Sequence, residues 1–124
     1  MALILVVDDE ASIRRMLRET LVREGHEVIE AERSSTDLRM IEHRVPDLVV
    51  TDLMMPEKDG LELLLDLRRA HPEMRVVAIS GGGRNAWSEA LDVAKRFGAF
   101  RTLAKPFSLD EFVAVVREAL NRAA

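Results

Sequence analysis

No cysteine occurs anywhere in the chain. Disulfide frameworks and thiolate metal sites are therefore excluded. Nor is there a surplus of basic residues. The formal charge is -4, which argues against nucleic acid as a direct partner. No apolar stretch approaches the length needed to span a membrane. No basic region precedes the first apolar run, and that run meets three acids at Asp8-Asp9-Glu10. That order of charges is not a signal peptide. Internal repeats, low-complexity segments and linkers are also missing. What remains is the expectation of one cytoplasmic domain over residues 1–124, long enough to bury a substantial core.

Leu3 to Val7 is a continuous apolar run of strand length, as suits a central parallel strand covered on both faces. The period then changes. Ile13, Met16, Leu17 and Leu21 follow the spacing of an amphipathic helix, with Arg14, Arg15, Arg18 and Glu19 on its polar face. Gly25 is its expected stop. Val28 and Ile29 make a short second strand. Ser34 and Asp37 open a weaker helix through Leu38 and Ile41, ended by Pro46. Asp47 to Val50 lead to Asp52. A leucine-rich helix runs through Leu61, Leu64 and Leu65 and closes at His71-Pro72. Arg75 to Ser80 reads as the fourth strand. Gly81-Gly82-Gly83 precede a helix carrying Ala90, Val93, Ala94 and Phe97, stopped by Gly98. Phe100 to Ala104 is the fifth strand, and Ser108 with Glu111 forms a capping box for the last helix. Five strands alternate with five helices, an α/β pattern with a parallel sheet.

Three of these strands end on charge. Leu3 to Val7 stops at Asp8-Asp9, Val49-Val50-Thr51 at Asp52, and Arg101 to Ala104 at Lys105. A strand ending on Asp is ordinarily a turn or helix cap. It is also how open α/β folds deliver chemistry to the carboxyl edge of the sheet. Right-handed crossovers would bring Asp8, Asp9, Asp52, Ser80 and Lys105 to that one edge. Crowded carboxylates need a cation, and hard oxygen ligands with room for water suit Mg²⁺. A carboxylate beside a cation and a lysine can act as a nucleophile toward phosphorus.

The set Asp8-Asp9-Glu10, Asp52-Leu53-Met54-Met55-Pro56, Asp59-Gly60, Ser80, Gly98-Ala99 and Lys105-Pro106-Phe107 resembles the receiver domain of bacterial two-component response regulators. The likeness covers essentially the whole chain. It implies a doubly wound (βα)5 three-layer sandwich of flavodoxin-like type with parallel sheet order 2-1-3-4-5, for which a receiver is itself a standard illustration. It implies Asp52 as phospho-acceptor and Mg²⁺ held directly by Asp9 and Asp52, largely through water by Asp8, and by the Met54 backbone carbonyl. Lys105 would contact the phosphoryl group and Ser80 would swing to hydrogen-bond it. The Lys105-Pro106 bond resembles the family's cis peptide. The implied donor is a histidine kinase or a histidine phosphotransfer protein, and the first helix is where kinases often dock in this family. Because the chain ends just past the last helix, a stand-alone module is expected. It would bind a downstream protein of unspecified identity or pass its phosphate on, rather than work as an enzyme.

Two departures from the family pattern stand out. Where most receivers carry Tyr or Phe three residues before the lysine, this chain has Thr102. Phe100 lies two residues earlier and by strand alternation would face the same side. The segment from Ser80 to Lys105 is also longer than usual, with the glycine run and Arg84 to Trp87 holding the extra length. Thr102 keeps a second reading open, a pseudo-receiver that binds partners without phosphorylation. A third, a Mg²⁺-dependent phosphohydrolase, is disfavoured because Met54 stands where such enzymes carry a second acid. Outside the constellation the readings are plain. Arg14, Arg15 and Arg18 are expected on a solvated face, and Glu57-Lys58-Asp59 in a solvated turn. His26, His43 and His71 lack metal-ligand spacing and are expected at the surface. No Gly-Lys-Ser/Thr follows the glycine run, so it is not a nucleotide loop.

Overall fold

The computed structural model describes residues 1–32, 41, 43–53, 60–80, 95 and 98–121, without the side chains of 60–63. Apolar runs that are buried on both faces form its centre. β1 (Leu3–Val7), β3 (Leu48–Asp52) and β4 (Arg75–Ser80) carry almost no exposed residue. β2 (Glu27–Ala31) and β5 (Arg101–Ala104) mix polar and apolar positions, which fits the two edges of the sheet. The five strands are all parallel in the order β2-β1-β3-β4-β5. The order places β1 and β3 side by side, with the chain winding outward from them in both directions, as expected.

Three helices lie among the described residues: α1 (Ala11–Arg23), α2 (Gly60–Ala70) and α3 (Leu109–Leu120). The expected second and fourth helices fall largely outside them, apart from the helical Ile41, which is buried in the core, and the helical, exposed His43 and Lys95. Alternation along the strands divides the core in two. Leu5, Val7, Val49, Val76 and Ala78 pack with Leu64 and Leu67 of α2 and with Ile41. Ile4, Val6, Val50, Val77 and Ile79 pack with Leu17 and Leu21 of α1 and with Phe112 and Val116 of α3. Phe112 is fully buried, a contribution of roughly 1.5–3 kcal/mol for a side chain of its size.

The helix ends follow local chemistry. Gly25 has φ +91° and stops α1. A Cβ there would meet nothing within 4 Å, so the requirement for glycine is the backbone angle alone. Ser108 caps α3, its Oγ accepting from the Glu111 N–H at 3.0 Å, as the capping box predicts. At the other end of α3, Arg75 Nη1 donates to the Ala119 carbonyl at 3.0 Å, satisfying an orphan acceptor from the base of β4.

Candidate functional site

Parallel registration brings the ends of four strands to one edge. Asp52 closes β3 and Ser80 closes β4, while Asp8 and Lys105 stand one residue beyond β1 and β5. The backbone carries the ladder past each of these ends. Asp8 N donates to Ala31 O (3.2 Å), Leu53 N to Ile79 O (2.8 Å) and Lys105 N to Ser80 O (2.7 Å). The side chains are thus delivered by rigid strands rather than by loops. The Lys105-Pro106 peptide is cis.

Asp8 and Asp52 are almost fully buried, at 1% and 4% exposure. Lys105 reaches into the gap between them. Its Nζ lies 3.2 Å from Asp52 Oδ2 and 3.5 Å from Asp8 Oδ2. Burial pushes the Asp8 carboxyl up to about 6. A hydrogen bond from the Glu10 N–H (2.9 Å) opposes the rise, the neighbouring Asp52 charge adds to it, and Lys105 offsets part of it. Burial alone would discourage the Lys105 ammonium. The Asp52, Asp8 and Glu10 carboxylates outweigh it and hold the lysine above its ordinary range. The Ser80 hydroxyl is fully buried and has no hydrogen-bond partner among the described residues.

Asp8, Asp52, Ser80 and Lys105 therefore converge as their positions in the sequence predict. Asp9 is exposed, and among the described residues the carboxylates that approach one another within 4.8 Å are those of Asp8, Glu10 and Asp52. Met54 lies outside the described residues, as do the glycine run and Trp87. Three carboxylates around one lysine leave a net negative pocket of hard oxygen donors, a donor set that fits a divalent cation of the Mg²⁺ kind.

Four side chains behave differently from the sequence reading. Arg14 is not on a solvated face. Its side chain is 13% exposed and pairs with Glu30 at 3.3 Å, and its Nη1 donates to the Asp8 carbonyl at 2.6 Å. It anchors the turn that carries the acids. Glu10 joins the site, although only its membership of the acidic run pointed there. His26 is half-buried, with Nδ1 accepting from the Ala2 N–H at 3.2 Å. Phe100 does not share the side of Thr102. It precedes β5, packs against the cluster beneath α1 and α3, and is held between the Arg75 and Arg101 guanidiniums at 4.4 and 4.7 Å. Beside the site, Ile13, Met16, Lys105, Pro106 and Phe107 line an apolar cavity of about 330 Å³.

Known proteins match this geometry over nearly the whole chain. The family described as response regulator receiver domain matches residues 4–117. The chemotaxis protein CheY of Bacillus subtilis is 34% identical over 119 residues, which is 95% of this chain and 97% of that protein. The DNA-binding transcriptional regulator NtrC of Azospirillum brasilense is 41% identical over 97% of this chain, but the match spans only 24% of that protein. Among solved structures, the receiver domain of NtrX from Brucella abortus superposes with a TM-score of 0.88 at 39% identity, covering 97% of this chain and 99% of that one.

Proposed function

The chain belongs to the response regulator receiver domain family, and we propose that Asp52 is its phospho-acceptor. Receiver domains are signalling modules that take phosphate from histidine kinases. The observation that carries the assignment here is the convergence of Asp52, Asp8 and Lys105, with a buried Ser80 hydroxyl at the same edge that has no partner among the described residues. An Asp52 carboxylate oxygen attacks the phosphorus of a phosphohistidine. The P–N bond breaks, its electron pair returns to the imidazole, and an acyl phosphate forms on Asp52. Lys105, already 3.2 Å from the acceptor oxygen, neutralises charge on the transferring group. Ser80 supplies the hydroxyl that answers the new oxygens with a hydrogen bond.

Asp8 and Asp52, which converge in the acidic cluster, would hold Mg²⁺ together with Asp9 and the Met54 carbonyl, whose roles rest on the family resemblance. The ion would supply the positive charge that lets three acids and a phosphoryl group share one pocket. The apolar cavity beside Lys105, lined in part by Ile13 and Met16 of α1, supports docking of the histidine donor protein on that face. The phosphorylated form would then switch binding to a downstream protein.

Incubation with acetyl phosphate and Mg²⁺, followed by intact mass measurement, tests the assignment. A single phosphate adduct that hydroxylamine removes is expected, and Asp52→Asn should abolish it while far-UV circular dichroism stays native-like. Full labelling of Asp52→Asn would overturn the assignment. No labelling of the wild-type chain would favour the pseudo-receiver reading, which Thr102 motivates.

A further inference from the structure

The residue before a helix commonly lends a side-chain oxygen to the first free N–H groups. Glu10 occupies that position for α1, with φ -87° and ψ 110°, yet its side chain makes no cap hydrogen bond. The carboxylate is directed elsewhere. It lies 3.6 Å from Lys105 Nζ and within 4.8 Å of the Asp8 and Asp52 oxygens. Asp8 and Asp52 are buried, whereas the Glu10 side chain is 60% exposed. Glu10 therefore stands at the mouth of the pocket, and Lys105 is shared among three carboxylates.

We propose that Glu10 is a positioning residue for phosphoryl uptake: it holds Lys105 at the mouth of the pocket and competes with an incoming phosphoryl group for that ammonium, setting how readily small anionic donors are used. The inference rests on the receiver reading of Asp52 and Lys105 and goes one residue beyond it. The same carboxylate acts twice. It retains the cation that a phosphoryl group needs, and it sets a like charge beside the entry path of a dianion. A phosphodonor protein bound through its own contacts bears this opposition more easily than a free small anion does. An ion pair that merely decorated the surface would be worth little and would leave uptake unchanged.

Glu10→Gln keeps the size of the side chain and removes its charge. At low salt, with Mg²⁺, the acetyl phosphate concentration giving half-maximal labelling should fall roughly three- to tenfold, as expected for one unit charge near a dianion at a solvent-exposed site. The maximal rate should change much less. The difference should shrink toward none at about 1 M salt, where screening acts within about 3 Å. Glu10→Asp retains the charge and should stay near the wild-type half-maximal concentration. In metal-free protein, the Lys105 side-chain NMR signal should move in Glu10→Gln and stay in place in Glu118→Gln, which removes an exposed carboxylate far from the site. Equal half-maximal concentrations for Glu10→Gln and wild type at low salt, or an unmoved Lys105 signal, would overturn the role of Glu10. If the wild type labels normally while Glu10→Gln matches it, only this inference fails. If the wild type takes no label, the phospho-acceptor assignment of Asp52 fails with it.

Discussion

Replacing Asp8 by Asn should make the metal-free protein more stable, and the size of the effect follows from the structure. Asp8 is 1% exposed, and burial raises its carboxyl from 3.8 to about 6. A raised acid binds its proton more tightly in the folded state than in the unfolded one. Between about pH 4 and pH 6 the folded chain therefore carries more protons, and stability falls as pH rises through that window. At pH 7.5 Asp8 is ionised in both states and the whole penalty is present. A shift of this size corresponds to on the order of 3 kcal/mol. Asn keeps an oxygen for the Glu10 N–H, which donates to Asp8 Oδ1 at 2.9 Å, and the lost attraction to Lys105 is already contained in that shift. Its amide nitrogen, however, then stands where Oδ2 faced the Lys105 ammonium at 3.5 Å, two donors together. A net gain of about 2 kcal/mol remains, or roughly 8 °C in melting temperature for a chain of this length.

Thermal denaturation followed by circular dichroism checks this in three buffers. With EDTA at pH 7.5, Asp8→Asn should melt above the wild type. With EDTA at pH 5 the gap should narrow, because Asp8 is by then mostly protonated. With Mg²⁺ at pH 7.5 it should close or reverse, since a cation at one hundred times its dissociation constant returns about 2.7 kcal/mol to the wild type alone. A variant that melts below the wild type in EDTA at pH 7.5, or a gap that ignores pH, would refute the reasoning that a crowded, desolvated acid strains this edge.

Other side chains give independent tests. Arg14→Met removes the donor to the Asp8 carbonyl and the pair with Glu30, and should lower stability by about 1.5–3 kcal/mol, read as a lower urea midpoint at unchanged m-value. Burial lowers the His26 pKa, helped by the positive N-terminus and opposed by Glu24. The folded state therefore resists protonation, stability should decline as pH falls through about 6.5, and His26→Asn should flatten that part of the pH profile. Ser80→Ala deletes a buried hydroxyl without a partner among the described residues. Its stability should match or slightly exceed that of the wild type, by up to about 1 kcal/mol, while the change in tryptophan emission on adding beryllium fluoride with Mg²⁺ should be blunted. A Ser80→Ala melting temperature far below wild type would mean that the hydroxyl is satisfied in the resting protein.

The sequence was most legible where the physics is local. β1, β3 and β4 are buried on both faces, so they read as unbroken apolar runs, and their carboxyl ends had to meet once the sheet was parallel. A parallel sheet therefore brings Asp8, Asp52, Ser80 and Lys105 to one edge. Arg14 was misread because helix periodicity assigns it to the polar face, and only the neighbouring β2 supplies the Glu30 that draws it in. His26 was misread for the same reason, since its acceptor role depends on Ala2, far away in sequence. Glu10 has no role of its own in the sequence beyond the acidic run, because the Lys105 it faces at 3.6 Å is brought to it only by the fold.

Phe100 carries the lesson furthest. Alternation of side chains holds only inside a strand, and β5 starts at Arg101. Counting back from Thr102 therefore gave the wrong side. Thr102 pairs in register with Ala78, and Ala78 with Thr51, so the row just inside the site is built of small residues. A ring three residues before the lysine would have occupied one end of that row. Phe100 cannot replace it without leaving two guanidiniums, each contact worth roughly 0.5–1 kcal/mol at an exposed site, and without quitting the cluster beneath α1 and α3. Motion of an aromatic ring along β5 is therefore not the route out of this site. The Ser80 hydroxyl is buried and has no hydrogen-bond partner among the described residues, so among those residues it is a side chain with a bond to gain when charge arrives at Asp52.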